Sequence, residues 1–213
     1  MSFLKNKRIL ITAGPTWVPI DDVRVISNIS SGEMGLLLTR QALRSGARVD
    51  LLLGPVLKKT PVSKKINLFR FTYFDELFCL VRSLIKKNKY DCVLHCAAVS
   101  DYITEKKEGK ISSQKKGLTL RLKRAPKIIE VIRKGCPRAF LVMFKLEDGV
   151  TDAVLLKRSL EAMRKSKADL VVANMFENGG YRGYVLGASK VPAKPLTKKE
   201  VAKQLFEILK EKI

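Results

Sequence analysis

Short apolar runs and amphipathic helical patterns take turns along almost the whole chain, and that alternation leaves few folds open. The apolar runs fall at Arg8–Thr12, Arg48–Leu53, Ile66–Phe71, Cys92–Cys96, Ala139–Phe144 and Leu170–Ala173. Helical periodicity fills Glu33–Arg44, Tyr73–Lys87, Pro126–Arg133, Asp152–Lys165 and Lys198–Lys212. Strands joined by crossover helices build a parallel sheet with both faces covered. The expected fold class is therefore α/β: a three-layer αβα sandwich around a Rossmann-like, mostly parallel sheet. An antiparallel extension is expected too, because Gly117–Leu122 alternates with period two as a half-exposed strand does. The glycine-rich run Gly179–Leu186 reads as a hairpin near the end of the chain. Capping boxes mark two helix starts, Thr197 with Glu200 and Thr72 with Asp75. With no internal repeat and no linker, the 213 residues read as one domain over 1–213.

Composition excludes several classes. Hydrophobic residues make up 46% and charged residues 29%, which suits a soluble folded domain and not a disordered one. No apolar run approaches the roughly 20 residues needed to span a bilayer. The apolar part of the N-terminus leads straight into a strand and is too short for a secretory signal, so a cytoplasmic protein is expected. The cysteines, Cys79, Cys92, Cys96 and Cys136, form no CxxC pair, and the lone His95 completes no zinc set with them, so no metal ligands are assigned. They read as core thiols, and His95 as a core or strand-end residue. Net charge is +22, from 42 Lys and Arg against 20 Asp and Glu. The lysines are scattered doublets without an RNA-binding aromatic signature, so a solvated basic surface is favoured over nucleic-acid binding. Such a field would also steer anionic small molecules.

The most informative stretch is Ile11–Gly35, ITAGPTWVPIDDVRVISNISSGEMG. A strand ends in Gly14 and Pro15, a long polar loop follows, and Gly32-Glu33-Met34-Gly35 opens a helix. Strand, loop and helix N-terminus together form the place where doubly wound sheets bind phosphate-bearing ligands. Ser30, Ser31 and Gly32 precede helix amides that lack intrahelical partners, so an anion there gains donors and the helix dipole. Ser30 with Glu33 also fits a capping box, which accounts for those two residues but not for Arg24 and Asn28 upstream. At the fourth strand's exit, small Ala97 and Ala98 allow a flat ligand to approach. Asp101 there can accept from a sugar or base, reach metal-bound water, or serve as a turn cap. Lys110 sits in a charged loop, Glu105 to Lys116, that reads as mobile. Phe144 at a strand end can stack on a base or fill the core.

These residues resemble a known family. ITAGPT, DDVRVISN and SSGEMG, then GARVDLLLGPV (46–56), AAVSDY (97–102), GKIS (109–112), FKLE (144–147) and DLVVAN (169–174) are similar, in order, to phosphopantothenoylcysteine synthetase, the ligase of coenzyme A biosynthesis. The resemblance implies that Asn28 holds an acyl-nucleotide intermediate and that Arg24 contacts phosphate or carboxylate. It also implies that Lys110 is the essential lysine of a closing loop. Gly14, Ser30, Ser31, Gly32, Ala97, Ala98, Asp101 and Phe144 would line the substrate and nucleotide sites. The family often has Lys where Glu33 stands. Lys110-Ile111-Ser112-Ser113 and Phe144-Lys145-Leu146-Glu147 look more like the eukaryotic, ATP-using form. Ala162 and Ser166 occupy positions where CTP-using relatives carry lysines, so the choice between CTP and ATP stays open.

The implied activity joins cysteine to 4'-phosphopantothenate with CTP or ATP and Mg²⁺, in a monofunctional homodimer. Two rivals are weighed. A nicotinamide-dependent oxidoreductase lacks its G-x-G-x-x-G and the acidic residue at the second strand's end, where Leu53-Gly54-Pro55 stands. A nucleic-acid-binding module would show affinity falling steeply with salt.

Overall fold

Every position of Arg8–Ala13 after Arg8 is buried, which only a strand in the middle of a sheet covered on both faces can achieve. The computed structural model describes residues 2–114, 116–177, 179–187 and 194–213. In chain order the elements are β1 (Arg8–Ala13), β2 (Trp17–Pro19), β3 (Val25–Ser27), α1 (Glu33–Arg44), β4 (Arg48–Leu53), β5 (Ile66–Arg70), α2 (Phe74–Lys87) and β6 (Cys92–His95). They continue as β7 (Tyr102–Ile103), β8 (Lys123–Arg124), α3 (Ile128–Gly135), β9 (Phe140–Glu147), α4 (Asp152–Ser166), β10 (Leu170–Glu177), β11 (Gly180–Leu186) and α5 (Lys198–Lys212).

The main sheet has seven strands in the order β11-β10-β9-β6-β1-β4-β5. All neighbours are parallel except β10 and β11, which pair antiparallel from Val171↔Leu186 to Glu177↔Gly180. The expected sandwich with an antiparallel edge is what the chain forms. Alternate residues of β1 serve opposite layers. Ile9, Ile11 and Ala13 pack with α1 and α5, while Leu10 packs with α2 and α3. A third cluster joins α4 to β9, β10 and β11. Helix α1 lies unusually close to β1, because a Cβ on Gly35 would fall 2.3 Å from that of Ala13.

The strand order reverses at β1. From there the chain steps outward to β4 and β5, then returns to the other side as β6. Loops leaving the carboxyl ends of β1 and β6 consequently face each other across the topological switch point.

Several expectations are corrected. Gly117–Leu122 is not a strand. Leu118 and Leu122 are about half exposed, no sheet lies beneath them, and only Lys123–Arg124 pairs, with Tyr102–Ile103. Gly180–Leu186 is the return arm of a hairpin begun by β10, not a hairpin in itself. Helix α2 is closed by Glu76, whose carboxylate accepts from the Thr72 and Tyr73 amides at 2.6 and 3.1 Å, so Thr72 and Asp75 form no capping box. The box at Thr197 and Glu200 is present in both directions. Among the thiols, Cys92 and Cys136 are buried and Cys96 half-buried, whereas Cys79 is exposed on α2.

Candidate active site

The loops after β1 and β6 are zipped together by main-chain and hydroxyl contacts. The Ala98 amide donates to the Gly14 carbonyl at 2.9 Å, and the Thr16 amide to the Ala98 carbonyl at 3.3 Å. Thr16 Oγ1 accepts from the Ser100 amide at 2.9 Å, and Thr12 Oγ1 from the Ala97 amide at 3.2 Å. Gly14 can make this turn because its φ is +81°, and Gly32, at +68°, closes the same loop against it. A Cβ on Gly32 would stand 2.8 Å from Val56 Cγ1.

Asn28 reaches across this seam. Its Nδ2 donates to the Ala98 carbonyl at 3.3 Å and to the Val99 carbonyl at 3.1 Å, so the small-residue segment after β6 and the first loop meet at one amide. Asn28 itself is exposed. Gly14, Asn28, Ala97 and Ala98 are therefore together.

The N-terminus of α1 differs from the capping-box expectation. Gly32 is the N-cap and no side chain caps the helix. Ser30 Oγ accepts from the Gly32 amide at 3.3 Å and Ser31 Oγ from the Glu33 amide at 3.4 Å, both local turns. Glu33 does not fold back. Its carboxylate pairs with Lys198 at 2.7 Å and Lys58 at 3.5 Å, and the Lys198 contact leads in holding its pKa below the ordinary value. Lys198 Nζ also lies 5.6 Å from the ring centroids of both Phe176 and Tyr181. Sequence reasoning missed Lys58 and Lys198, because nothing local links residues so distant in the chain.

The part of the charged loop from Lys106 to Ile111 is bonded to the first loop. The Lys107 amide donates to the Ile20 carbonyl at 2.9 Å, and the Gly109 amide to Asp22 Oδ2 at 2.8 Å. Lys106, about half exposed, pairs with Asp22 at 2.5 Å. The Ile111 amide donates to Asp21 Oδ2 at 3.1 Å. Arg24 Nη1 donates to that same carboxylate oxygen at 2.8 Å and to the Ile111 carbonyl at 3.1 Å. Lys110 is exposed between Gly109 and the buried Ile111, so its backbone is held beside Arg24.

Two predicted residues lie apart from this seam. Asp101 points to the surface, pairing with Lys127 at 2.6 Å, with its side chain 68% exposed. Phe144 packs half-buried against the α1 and α5 core. His95 Nδ1 lies 2.8 Å from Thr12 Oγ1, and burial pushes its pKa down to about 4, which keeps the ring neutral. Burial likewise pushes the Cys96 thiol up to about 12, so it is no nucleophile at neutral pH. No group of three or more His, Cys, Asp or Glu able to hold a metal ion occurs among the described residues.

Known proteins are similar to this chain in sequence and fold. A coenzyme A biosynthesis bifunctional protein CoaBC of Thermococcus kodakarensis is 35% identical over 209 residues, covering 96% of this chain and 51% of its own. The chain thus spans about half the length of the curated relatives it matches. The crystal structure of the DNA/pantothenate metabolism flavoprotein from Streptococcus pneumoniae is similar at a TM-score of 0.87 and 26% identity, covering 97% of this chain and 100% of that one. The C-terminal domain of a coenzyme A biosynthesis bifunctional protein CoaBC is similar at 0.79 and 28%, covering 99% and 97%. The family model for the DNA/pantothenate metabolism flavoprotein C-terminal domain matches residues 4–213. From Leu4 to its last residue, this chain belongs to the DNA/pantothenate metabolism flavoprotein C-terminal domain family.

Proposed function

We propose that this chain is a phosphopantothenate–cysteine ligase of coenzyme A biosynthesis. The observation that carries the reading is the Asn28 amide donating to the Ala98 and Val99 carbonyls at the topological switch point, with Arg24, upstream in the same loop, bonded to the Lys110 segment. The likeness to relatives that bear the CoaBC name supports it. A carboxylate oxygen of phosphopantothenate attacks the α-phosphorus of a nucleoside triphosphate. A P–O bond forms, the α–β bridge breaks, and pyrophosphate leaves. The cysteine amine then attacks the acyl carbon. A C–N bond forms, the acyl–oxygen bond to the nucleotide breaks, the amine proton is lost, and CMP or AMP departs.

The side chains align and neutralise and need not act as nucleophiles. Asn28 presents an amide with its Oδ1 still available to accept. Arg24 faces developing negative charge, and Lys110 supplies a mobile ammonium on an anchored backbone. Ser30, Ser31 and Gly32 offer the α1 N-terminus to a phosphate. Magnesium would arrive on the triphosphate, for the described residues present no carboxylate cluster that would hold a bare ion. This donor set fits a cation held mainly by phosphate and water, where it would offset phosphate charge.

We further propose a cytoplasmic homodimer, for which the exposed Val25, Ile26 and Ile29 around β3 offer an apolar surface. The reading is tested by incubating the protein with phosphopantothenate and triphosphate but no cysteine. A mixed anhydride of phosphopantothenate and CMP or AMP should be recovered by mass spectrometry. Recovery of unreacted substrates alone, from protein that also fails with cysteine present, would sink the ligase reading.

A further inference from the structure

We propose that Asp21 is a positioning residue that couples Arg24 to the Lys110 segment, so that the two loops act as one body; this rests on the ligase reading above. Asp21 is 2% exposed, and its carboxylate is used in full. Oδ1 accepts from the Val23 and Arg24 amides at 2.9 and 2.8 Å. Oδ2 accepts from Arg24 Nη1 at 2.8 Å and from the Ile111 amide at 3.1 Å. Arg24 Nη1 closes the ring by donating to the Ile111 carbonyl at 3.1 Å. The Ile111 nitrogen belongs to the peptide bond that leaves Lys110, so fixing it fixes the base of that side chain.

Only an ionised carboxylate can take four donors in this way, since an amide at the same place must turn its NH₂ toward donors on one side. Burial by itself would raise the pKa of Asp21, but the three amides and Arg24 outweigh it and carry it below the ordinary carboxylate value. The group is therefore charged at neutral pH. Asp22 makes a neighbouring tie to Gly109, but its other partner, Lys106, is half exposed and solvent weakens that pair. Asp21 is thus the buried carboxylate that binds both the arginine and the lysine loop, alongside the direct Arg24–Ile111 carbonyl bond and the Lys107–Ile20 main-chain bond.

The test compares ligation by wild type, Asp21→Asn, Lys110→Ala and the double variant. Asp21→Asn should lower kcat about a hundredfold, the scale on which a misplacement of about 1 Å acts, with little change in KM. The double variant should be no slower than the slower single one. Multiplying effects in the double variant, or an Asp21→Asn enzyme within threefold of wild type, would overturn the coupling. Amide hydrogen exchange of the wild type reports on the tie without any variant. Protection of Ile111 matching that of Val23 and Arg24 supports it, and free-chain exchange at Ile111 beside protected Val23 and Arg24 refutes it. A wild type with no turnover would overturn the ligase reading alone, because the exchange result still decides the tie.

Discussion

The Asn28 amide nitrogen donates to two carbonyls of another loop although the residue is exposed, and a carboxylate at that place would donate nothing. Asn28→Asp should therefore cut ligation by more than about a hundredfold, comparable to losing one preorganised donor. Its melting temperature should stay within a few degrees of wild type, which a thermal scan checks. His95 makes a second prediction, about stability. Its folded pKa of about 4 lies below the ordinary 6.5, so the unfolded chain binds the extra proton between those values. Stability must fall as pH drops through that window. Urea midpoints from pH 7 to 5 should decline in the wild type and decline less in His95→Gln. At this scale the sequence pointed to Asn28, Arg24 and Lys110 through the likeness of their motifs to those of a known family. It did not reveal that Asp21 bonds both Arg24 and the Ile111 amide next to Lys110, because Ile111 lies 90 positions away from Asp21. Nor did it reveal that Glu33 would choose Lys198 over its own helix end.

Elements built on strong periodicity were legible. The strands β1, β4 and β6 and the helices α1, α2, α4 and α5 arose where apolar spacing placed them, since each buries a face against the sheet. The short ribbons β2–β3 and β7–β8 were not, for they follow loop contacts and carry exposed residues. Gly117–Leu122 shows the converse, an alternating pattern that has no sheet to cover. The close seat of α1 on β1 belongs to this scale. Gly35→Ala would drive a methyl into Ala13, an overpacking that costs about 1–3 kcal/mol. Because α1 carries the loop's end at Gly32, the variant should also raise KM for the triphosphate, measured by initial rates. At the opposite ends of the strands, Asp50 is buried with Arg8 at 2.8 Å, Asn67 at 2.7 Å and Tyr90 at 2.5 Å. Asp50→Ala should cost about 3 kcal/mol in urea unfolding, near the low end for a buried pair because Arg8 is partly exposed, and leave KM unchanged.

The whole molecule carries +22 charges, and the proposed substrates are anions. Raising monovalent salt from about 20 to 300 mM shortens the screening length below the size of the site's field. KM for the triphosphate should then rise several-fold while kcat changes little. The sheet order explains why the polar loops converge, since the reversal at β1 puts the first loop beside the exit of β6. No helix among the described residues is long and apolar enough to cross a membrane. The most direct test of the account is pyrophosphate release from phosphopantothenate, cysteine and Mg²⁺, with CTP and ATP offered separately. The account predicts release that requires phosphopantothenate with at least one nucleotide, and product containing the new amide. Folded protein that releases no pyrophosphate with either nucleotide would contradict it.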